Sequence, residues 1–316
     1  MTSPVCLIVP ASAAGTRADR FLAEHFPGAG RRSLARAFDE GEVRVNGRRA
    51  RKGDRLAAAD VVELAQAPAR GDELAATPEP ELPLTLLYAD ARLVAVAKAA
   101  GVPSTTLRAG ETGTLANALV ARHPECALAG ADPREAGLAH RLDTGTSGVL
   151  VAARDRETWH ALRAAFHDGR VAKEYLALVV GEAPGPGECC FPIAHDRAHE
   201  GTMRAIADPE QAYRRGALPA ETWWVVEREY AGFTLLRCHA ASGRMHQVRV
   251  HLAAAGYPVV GDARYGGDAP APTGLVAHFL HADRLVLPHP DDGRPLTLHA
   301  PLPPDRATAL AALAER

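Results

Sequence analysis

The sequence predicts a two-part α+β protein, in which a small helical and β-hairpin unit precedes a larger domain with a mixed, largely antiparallel central sheet flanked by helices. Two observations predict the sheet: the second part is rich in β-branched apolar runs, and several of these runs are joined by short turns into hairpins. A change of composition between residues 67 and 83 separates the two parts. A doubly wound parallel fold is therefore not the first choice.

Composition and length restrict the class of protein. The chain has 316 residues, of which 47% are hydrophobic and 23% are charged, as is usual for a globular protein. No segment approaches the roughly 18 uninterrupted apolar residues of a membrane helix, so we expect a cytoplasmic protein without membrane contact. The five cysteines are scattered and form no C-x-x-C pair, which predicts free thiols rather than disulfides or a zinc site. A monomer is the default expectation.

Residues 1–66 form the predicted small domain. "TRADRFLAEHF" and "RRSLARAFDEG" space their apolar residues at helical intervals, and Gly41 ends the second helix. "EVRVNGRRA" then alternates valines and reaches Asn46-Gly47, a strong hairpin-turn signal, before the short strand "DVVEL". The pattern predicts two helices and a small basic hairpin.

Positive charge is concentrated in this first unit. Residues 31–55 contain nine basic and four acidic residues, a local net charge of +5 in a chain whose total is −2. Phosphate contacts need such local potential, although a solvated arginine-rich helix face would look the same. The order of elements resembles the RNA-binding module of a small-subunit ribosomal protein, except that Ala57–Ala59 replace a Pro-Gly-Asp turn. The resemblance implies RNA contacts for Arg31, Arg32, Arg36, Arg44 and Arg48.

After the linker predicted at residues 67–83, residues 84–316 form the predicted second domain. "SGVLVAARD" and "KEYLALVVG" indicate strands, and "ETWHALRAAFHDG" indicates an amphipathic helix. "AETWWVVEREY" with "GFTLLRCHA", and the segment that turns at Asp291-Asp292-Gly293, indicate hairpins. "HQVRVHLAAAG" predicts a helix that ends at Gly256.

Several common kinds of active site lack their signatures. "TGTSGVL" does not supply the G-x-S-x-G of a serine hydrolase, and no glycine-rich phosphate loop occurs. His239, His246 and His251 are close in sequence, but the last two are five residues apart and do not share a helix face. We therefore predict neither a metal nor a cofactor.

The segment "HRLDTGTSGVLVAARD" places Asp143 in a turn rich in small residues. It resembles the H-R-L-D-x-x-T-S-G signature of the RluA-type pseudouridine synthases. "KEYLALVVG", "SGRMHQVRVHLAAAGYPVVGDARYG" and "FLHADRLVLPHP" are similar to further segments of that family and follow in the same order. Together they span nearly the whole second domain, which makes coincidence implausible.

This resemblance implies a fold of the pseudouridine synthase type and the isomerisation of selected uridines in ribosomal or transfer RNA, without a cofactor. Asp143 would be the essential nucleophile or base, Arg244 its ion-pair partner, and Tyr175 the face that stacks on the target base. Val248 would supply an apolar wall near that base. His140 and Arg141 would contact the RNA backbone or anchor the loop, and Arg141 is a second candidate for the ion pair because it lies two residues from Asp143.

Physical chemistry favours the same residue types independently. An arginine stabilises the ionised form of a carboxylate in a pocket that excludes water, and its planar fork also orients that carboxylate. A tyrosine offers a flat surface to a uracil that must be flipped out of the RNA, and a hydroxyl for proton transfer.

Departures from the family pattern lie beside these residues. Ala99 and Ala100 follow Lys98 where Lys-Pro-Ala-Gly is usual, Ala139 is smaller than the usual residue, and Met245 stands where Thr is common. They affect loop rigidity and substrate choice rather than a catalytic group. An inactive RNA-binding or ribosome-assembly protein remains the main alternative, and a metal-dependent RNA hydrolase is a distant third.

Overall fold

The computed structural model describes residues 4–26, 29, 31–65, 75–108, 110–266 and 274–315, with the backbone alone at residues 31 and 32. The elements of the first unit are β1 (Val5–Ile8), α1 (Ala18–His25), α2 (Arg31–Asp39), β2 (Val43–Val45), β3 (Arg48–Arg49) and β4 (Val61–Leu64). The strands form an antiparallel sheet in the order β1-β4-β2-β3. Asn46 and Gly47 turn the hairpin with φ angles of 51° and 75°, as their sequence predicts.

The first unit has a core of its own because the apolar residues of α1 and α2 face the sheet. Phe21, Leu22 and Phe38 are buried there against Val43 and Val62. The two helices and the hairpin were all predicted. Strand β1, which pairs with β4 along its whole length, was not predicted.

The strands of the second part are β5 (Thr85–Ala89), β6 (Leu93–Lys98), β7 (Ser147–Ala153), β8 (Ala172–Val180), β9 (Gly187–Cys189), β10 (Ile193–His195), β11 (Met203–Ala205), β12 (Thr222–Tyr230), β13 (Phe233–Ala240), β14 (Leu280–Pro288) and β15 (Pro295–His299). Its helices are α3 (Leu115–Arg122), α4 (Arg156–His167), α5 (Pro209–Arg214), α6 (Gln247–Ala254) and α7 (Pro304–Ala314). Short 3-10 helices lie at Ala11–Ala13, Pro124–Leu128 and Pro133–Glu135.

The large sheet has the order β5-β6-β7-β14-β8-β13-β12-β9, with β15 on β14, and β10 pairs separately with β11. Among the described strands, only β7 and β14 pair in parallel. The predicted mixed, largely antiparallel sheet is therefore confirmed. Because β14 lies between β7 and β8, the start of β7 and the middle of β8 flank the same strand.

Helices cover the sheet on both faces. Helix α6 places Val248 and Leu252 against Ala177 of β8 and Leu236 of β13. Helix α7 packs against Phe279 on the other face through residues such as Ala309. This layered packing holds α6 beside β8, which positions the polar residues of both elements around one cleft.

The predicted linker at 67–83 lies partly outside the described residues. Where its chain is described, it contacts the second part: Ala76 is buried in that core, and Asn117 Nδ2 donates to the Thr77 carbonyl at 2.8 Å. Of the described helices, none has the length and apolar character needed to cross a membrane.

Candidate active site

The loop from His140 to Thr146 carries Asp143 into the cleft and leads directly into β7. Its close approach to β14 requires glycines. A Cβ at Gly145 would lie 2.7 Å from the His278 ring, and a Cβ at Gly148 would collide with the Ala282 carbonyl. The Gly/Ser/Thr-rich composition after Asp143 is therefore a packing requirement.

Buried side-chain donors hold the backbone of this loop. Ser104 Oγ donates to the carbonyl just before Asp143 at 2.8 Å, and Lys98 Nζ donates to the carbonyl just after it at 3.0 Å. Arg306 of α7, which has no exposed surface, donates through Nη2 to the Gly145 carbonyl at 3.0 Å. The position of the Asp143 carboxylate thus depends on residues from distant parts of the chain.

Arg249, on α6, is the ion-pair partner of Asp143. Its Nη1 donates to Asp143 Oδ2 at 2.8 Å, while its Nε and Nη2 form a fork on the Asp262 carboxylate at 2.7 and 2.8 Å. Burial alone would raise the pKa of Asp262, but the hydrogen bonds and charge of Arg249 outweigh burial and hold that pKa below its usual value. The guanidinium is fixed on both sides, and it therefore fixes the orientation of Asp143.

A small cavity of about 70 Å³ lies on one side of Asp143 and is lined by Tyr175, Val248 and Leu280, with Arg244 at its edge. Burial, and then the charge of Asp143, raises the pKa of the Tyr175 hydroxyl above its usual value. The phenol is therefore neutral at physiological pH. These flat and apolar surfaces suit an aromatic ring.

A larger cavity of about 430 Å³ lies on the other side of Asp143, where Ser104, Arg264 and His278 contribute to its wall. Asp143, Arg141 and His246 line both cavities. The carboxylate therefore lies where the two cavities meet. A nucleotide with its base in the small cavity would present its sugar to Asp143.

The prediction that Arg244 is the ion-pair partner of Asp143 is wrong. Arg244 is exposed and precedes α6, and its Nε donates to the Pro219 carbonyl at 3.1 Å. The chain reverses at His246, whose left-handed backbone (φ 57°) separates Arg244 from the helix that carries Arg249. Arg141 does not form the ion pair either.

The two residues before Leu142 have different environments. His140 Nε2 accepts a hydrogen bond from the Val151 amide at 3.2 Å, and its ring lies 4.5 Å from that of Phe166. Burial, chiefly, lowers the pKa of His140 to about 3, so the ring is neutral and anchors the loop. Arg141 is exposed, and no hydrogen bond of its guanidinium is recorded within the described residues. Its contact with RNA remains a prediction.

The basic residues predicted to contact RNA are exposed where their side chains are described. Arg36 Nε lies 3.6 Å from Glu40 Oε2, and Arg44 Nη1 donates to the Gly47 carbonyl. Arg48 is exposed in β3. The side chains of Arg31 and Arg32 lie outside the described residues. Local contacts therefore leave the surface of this unit basic.

The histidines that cluster in the sequence have separate partners. His239 stacks on Trp223 at 3.6 Å, His246 bonds to Tyr265, and His251 bonds to Thr222. Among the described residues, no three His, Cys, Asp or Glu side chains are grouped so that they could hold a metal ion.

Sequence reasoning missed Arg249, Asp262 and His246. One available signal was the run "QVRVHL": an arginine on a buried helix face must have an anionic partner. Asp262 follows the apolar pair Val259-Val260 after one glycine, so the same argument applies to it.

Comparison with known proteins defines the class. The sequence pattern described as RNA pseudouridylate synthase matches residues 92–254, which include Asp143, Tyr175 and Arg249. The chain belongs to this family, and its members are isomerases that convert uridines in RNA to pseudouridine.

Two individual proteins and one solved structure are similar to the chain over most of its length. The chain is 35% identical to the ribosomal large subunit pseudouridine synthase D of Xanthomonas campestris, over 98% of this chain and 92% of that protein. It is 36% identical to an uncharacterised RNA pseudouridine synthase of Mycobacterium bovis, over 96% of each chain. The solved structure of human RNA pseudouridylate synthase domain containing 4 matches 73% of this chain and 93% of its own, with a TM-score of 0.57 and 26% identity.

Proposed function

We propose that this pseudouridine synthase isomerises uridines in large-subunit ribosomal RNA, that Asp143 is its essential catalytic group, and that it needs no cofactor. The observation that carries the proposal is the Asp143 carboxylate, held by Arg249 Nη1 at 2.8 Å beside the cavity lined by Tyr175. Support for the substrate comes from relatives named ribosomal large subunit pseudouridine synthase D, such as that of Xylella fastidiosa, which is 35% identical over 97% of this chain.

The reaction rearranges one nucleotide. The bond between uracil N1 and ribose C1′ breaks, the ring turns, and a bond forms between C5 and C1′, while the proton on C5 leaves and N1 gains one. Product and substrate have the same atoms, so no oxidant or group donor is required. Asp143 acts either as a nucleophile at the sugar or as a base, and its ionised form serves both roles.

Tyr175 has a narrower role than the sequence alone indicates. Because its hydroxyl has a raised pKa and stays protonated at neutral pH, it can donate a hydrogen bond. Its ring provides the stacking surface for the flipped uracil, and Val248 and Leu280 complete the apolar wall. Arg244, at the edge of the same cavity, contacts the RNA rather than Asp143.

The basic first unit positions the RNA. Arg36, Arg44 and Arg48 present exposed charges to the phosphate backbone, which contributes affinity without choosing the uridine. We further propose that the enzyme acts in the cytoplasm.

The test is tritium release from ribosomal RNA that carries tritium at uracil C5, because each isomerisation frees one C5 hydrogen. We expect release with the wild-type protein and a loss of at least about 1,000-fold with Asp143→Asn, since the carboxylate is the reacting group. Asp168→Asn is the matched control, because that carboxylate is about half exposed at the end of α4.

Each outcome has a clear reading. Release that persists in Asp143→Asn would refute the role of Asp143. Release from transfer RNA but not from large-subunit ribosomal RNA would refute the substrate. RNA binding by the wild-type protein with no release from either RNA would identify it as an inactive RNA-binding protein. Mapping pseudouridine in total RNA with and without the protein then identifies the uridine.

A further inference from the structure

His246 occupies an unusual position between the two cavities. It is the residue just before α6, and its backbone is left-handed, with φ 57° and ψ 17°. A side chain other than glycine rarely adopts this conformation, and such residues concentrate at functional sites. The His246 ring lines both cavities next to Asp143. None of the roles described above uses it.

Two contacts bear on which ring nitrogen of His246 carries the proton. The Tyr265 hydroxyl accepts a hydrogen bond from the Met203 amide at 2.8 Å, and the same oxygen lies 2.8 Å from His246 Nδ1. The hydroxyl can donate its own proton to Nδ1. Nε2 faces the Asp143 carboxylate, which favours a proton on that nitrogen, so we assign the single proton of the neutral ring to Nε2.

The protonated nitrogen faces the catalytic carboxylate without bonding to it. His246 Nε2 is 3.9 Å from Asp143 Oδ2, which is too long for a hydrogen bond, and that oxygen already accepts from Arg249. The His246 side chain is only 12% exposed. His246 nevertheless lines both cavities, so a molecule in the cleft can approach its ring.

Burial keeps the ring neutral. It lowers the pKa of His246, and the charges of Arg249 and Arg264 act in the same direction, while those of Asp143 and Asp262 oppose them. The result is a fixed, neutral N–H donor next to the reacting carboxylate, and such preorganised donors are effective in a site that excludes water.

We propose that His246 is a further catalytic residue, whose Nε2–H donates a hydrogen bond to the 2′-oxygen of the target uridine. With the base stacked on Tyr175 in the smaller cavity, the sugar lies where the cavities meet, between Asp143 and His246. The 2′-hydroxyl is on C2′, the carbon bonded to C1′, and it is the polar group that ribose has and deoxyribose lacks. The donor holds the sugar against Asp143 and distinguishes ribose from deoxyribose. This inference rests on the proposed function.

Two substitutions separate this role from a structural one. His246→Gln places an amide N–H near the position of Nε2 but removes the acceptor for Tyr265. His246→Asn keeps an acceptor near the position of Nδ1 and tolerates the left-handed backbone, but it has no donor at Nε2. If the role of His246 is purely structural, the asparagine variant will be the faster enzyme. If His246 donates to the RNA, the glutamine variant will be the faster enzyme.

The assay is the single-turnover rate at saturating enzyme, on a synthetic RNA that contains the mapped uridine with either ribose or 2′-deoxyribose. With ribose, we expect His246→Asn to be slower than wild type by about 10- to 100-fold, and His246→Gln by less than about 5-fold. With 2′-deoxyribose, wild type and His246→Asn will have similar rates, because the same hydrogen bond is missing in both.

Two results would overturn the role of His246. One is that the losses of rate from His246→Asn and from the deoxyribose are additive, and the other is that the asparagine variant is faster than the glutamine variant. A wild-type protein that isomerises no uridine in ribosomal or transfer RNA refutes the proposed function instead. Melting temperature and RNA affinity of each variant are measured in parallel. A donor role predicts that the loss is in the rate constant and not in affinity.

Discussion

Replacing Arg249 by methionine tests the energetic importance of the buried ion cluster. The Arg249 and Asp262 side chains are 5% and 1% exposed, so the substitution leaves a buried carboxylate without its counter-ion. Removing one partner of such a pair destabilises a protein by about 3–5 kcal/mol, a large share of the roughly 5–15 kcal/mol that separates folded from unfolded states. Methionine retains the packing of the aliphatic stem, so the loss reports the charge.

The stability loss of Arg249→Met is expected to change with pH in a definite direction. In the wild type the pKa of Asp262 is lowered, so the group is ionised in both folded and unfolded states above about pH 4 and adds no slope there. In Arg249→Met the hydrogen bonds and charge of Arg249 are gone, and burial is the largest of the remaining influences on Asp262. We expect it to raise that pKa, so that the folded state binds a proton that the unfolded state does not. Between pH 5 and 8 the variant therefore loses stability relative to wild type, by up to about 1.4 kcal/mol per pH unit.

Urea denaturation of both proteins at pH 5 and pH 8 measures the difference. The control is Arg284→Met, because Arg284 is 44% exposed and pairs with Glu174 at the surface; we expect a loss below about 1 kcal/mol. A loss in Arg249→Met as small as in the control, or one that is equal at both pH values, would refute the reasoning.

Three further predictions follow from the site and the basic unit. Burial lowers the pKa of Lys98 to about 7, so the unfolded state binds more protons than the folded state between pH 7 and 10. The free energy of unfolding of the wild type will therefore rise over that interval relative to that of Lys98→Met. Urea denaturation of both proteins at pH 7 and pH 10 checks this. Replacing Arg44 and Arg48 by glutamine will reduce the slope of log affinity against log salt by up to about 2 and leave the single-turnover rate unchanged; filter binding over a salt series measures the slope. Dialysis against EDTA will leave tritium release within about twofold, and a larger loss would contradict cofactor independence.

The fold was largely predictable because its main elements have strong local signals. β12 and β13 carry long aromatic and β-branched runs, and Asn46-Gly47 specifies a turn. β10 and β11 were missed because three-residue strands have no detectable period. The parallel contact of β7 with β14 was also beyond sequence reasoning, since it joins residues more than 130 positions apart.

The candidate site was predictable only in part. Asp143 and Tyr175 were found through motifs, and the structure places both at one cavity. The choice of Arg244 over Arg249 failed because the segment "GRMHQVR" contains two arginines, and the left-handed turn at His246 separates Arg244 from the helix whose Arg249 reaches Asp143. Backbone handedness at a single residue is not encoded in a local periodicity.

The side-chain donors that hold the loop around Asp143 have a consequence for the order in which the protein is synthesised and folds. Gly145 is synthesised 161 residues before Arg306, whose guanidinium donates a hydrogen bond to the Gly145 carbonyl. A nascent chain that has exposed this loop therefore has the donors Lys98 and Ser104 but still lacks Arg306. We expect the loop to reach its final position only after α7 has been synthesised.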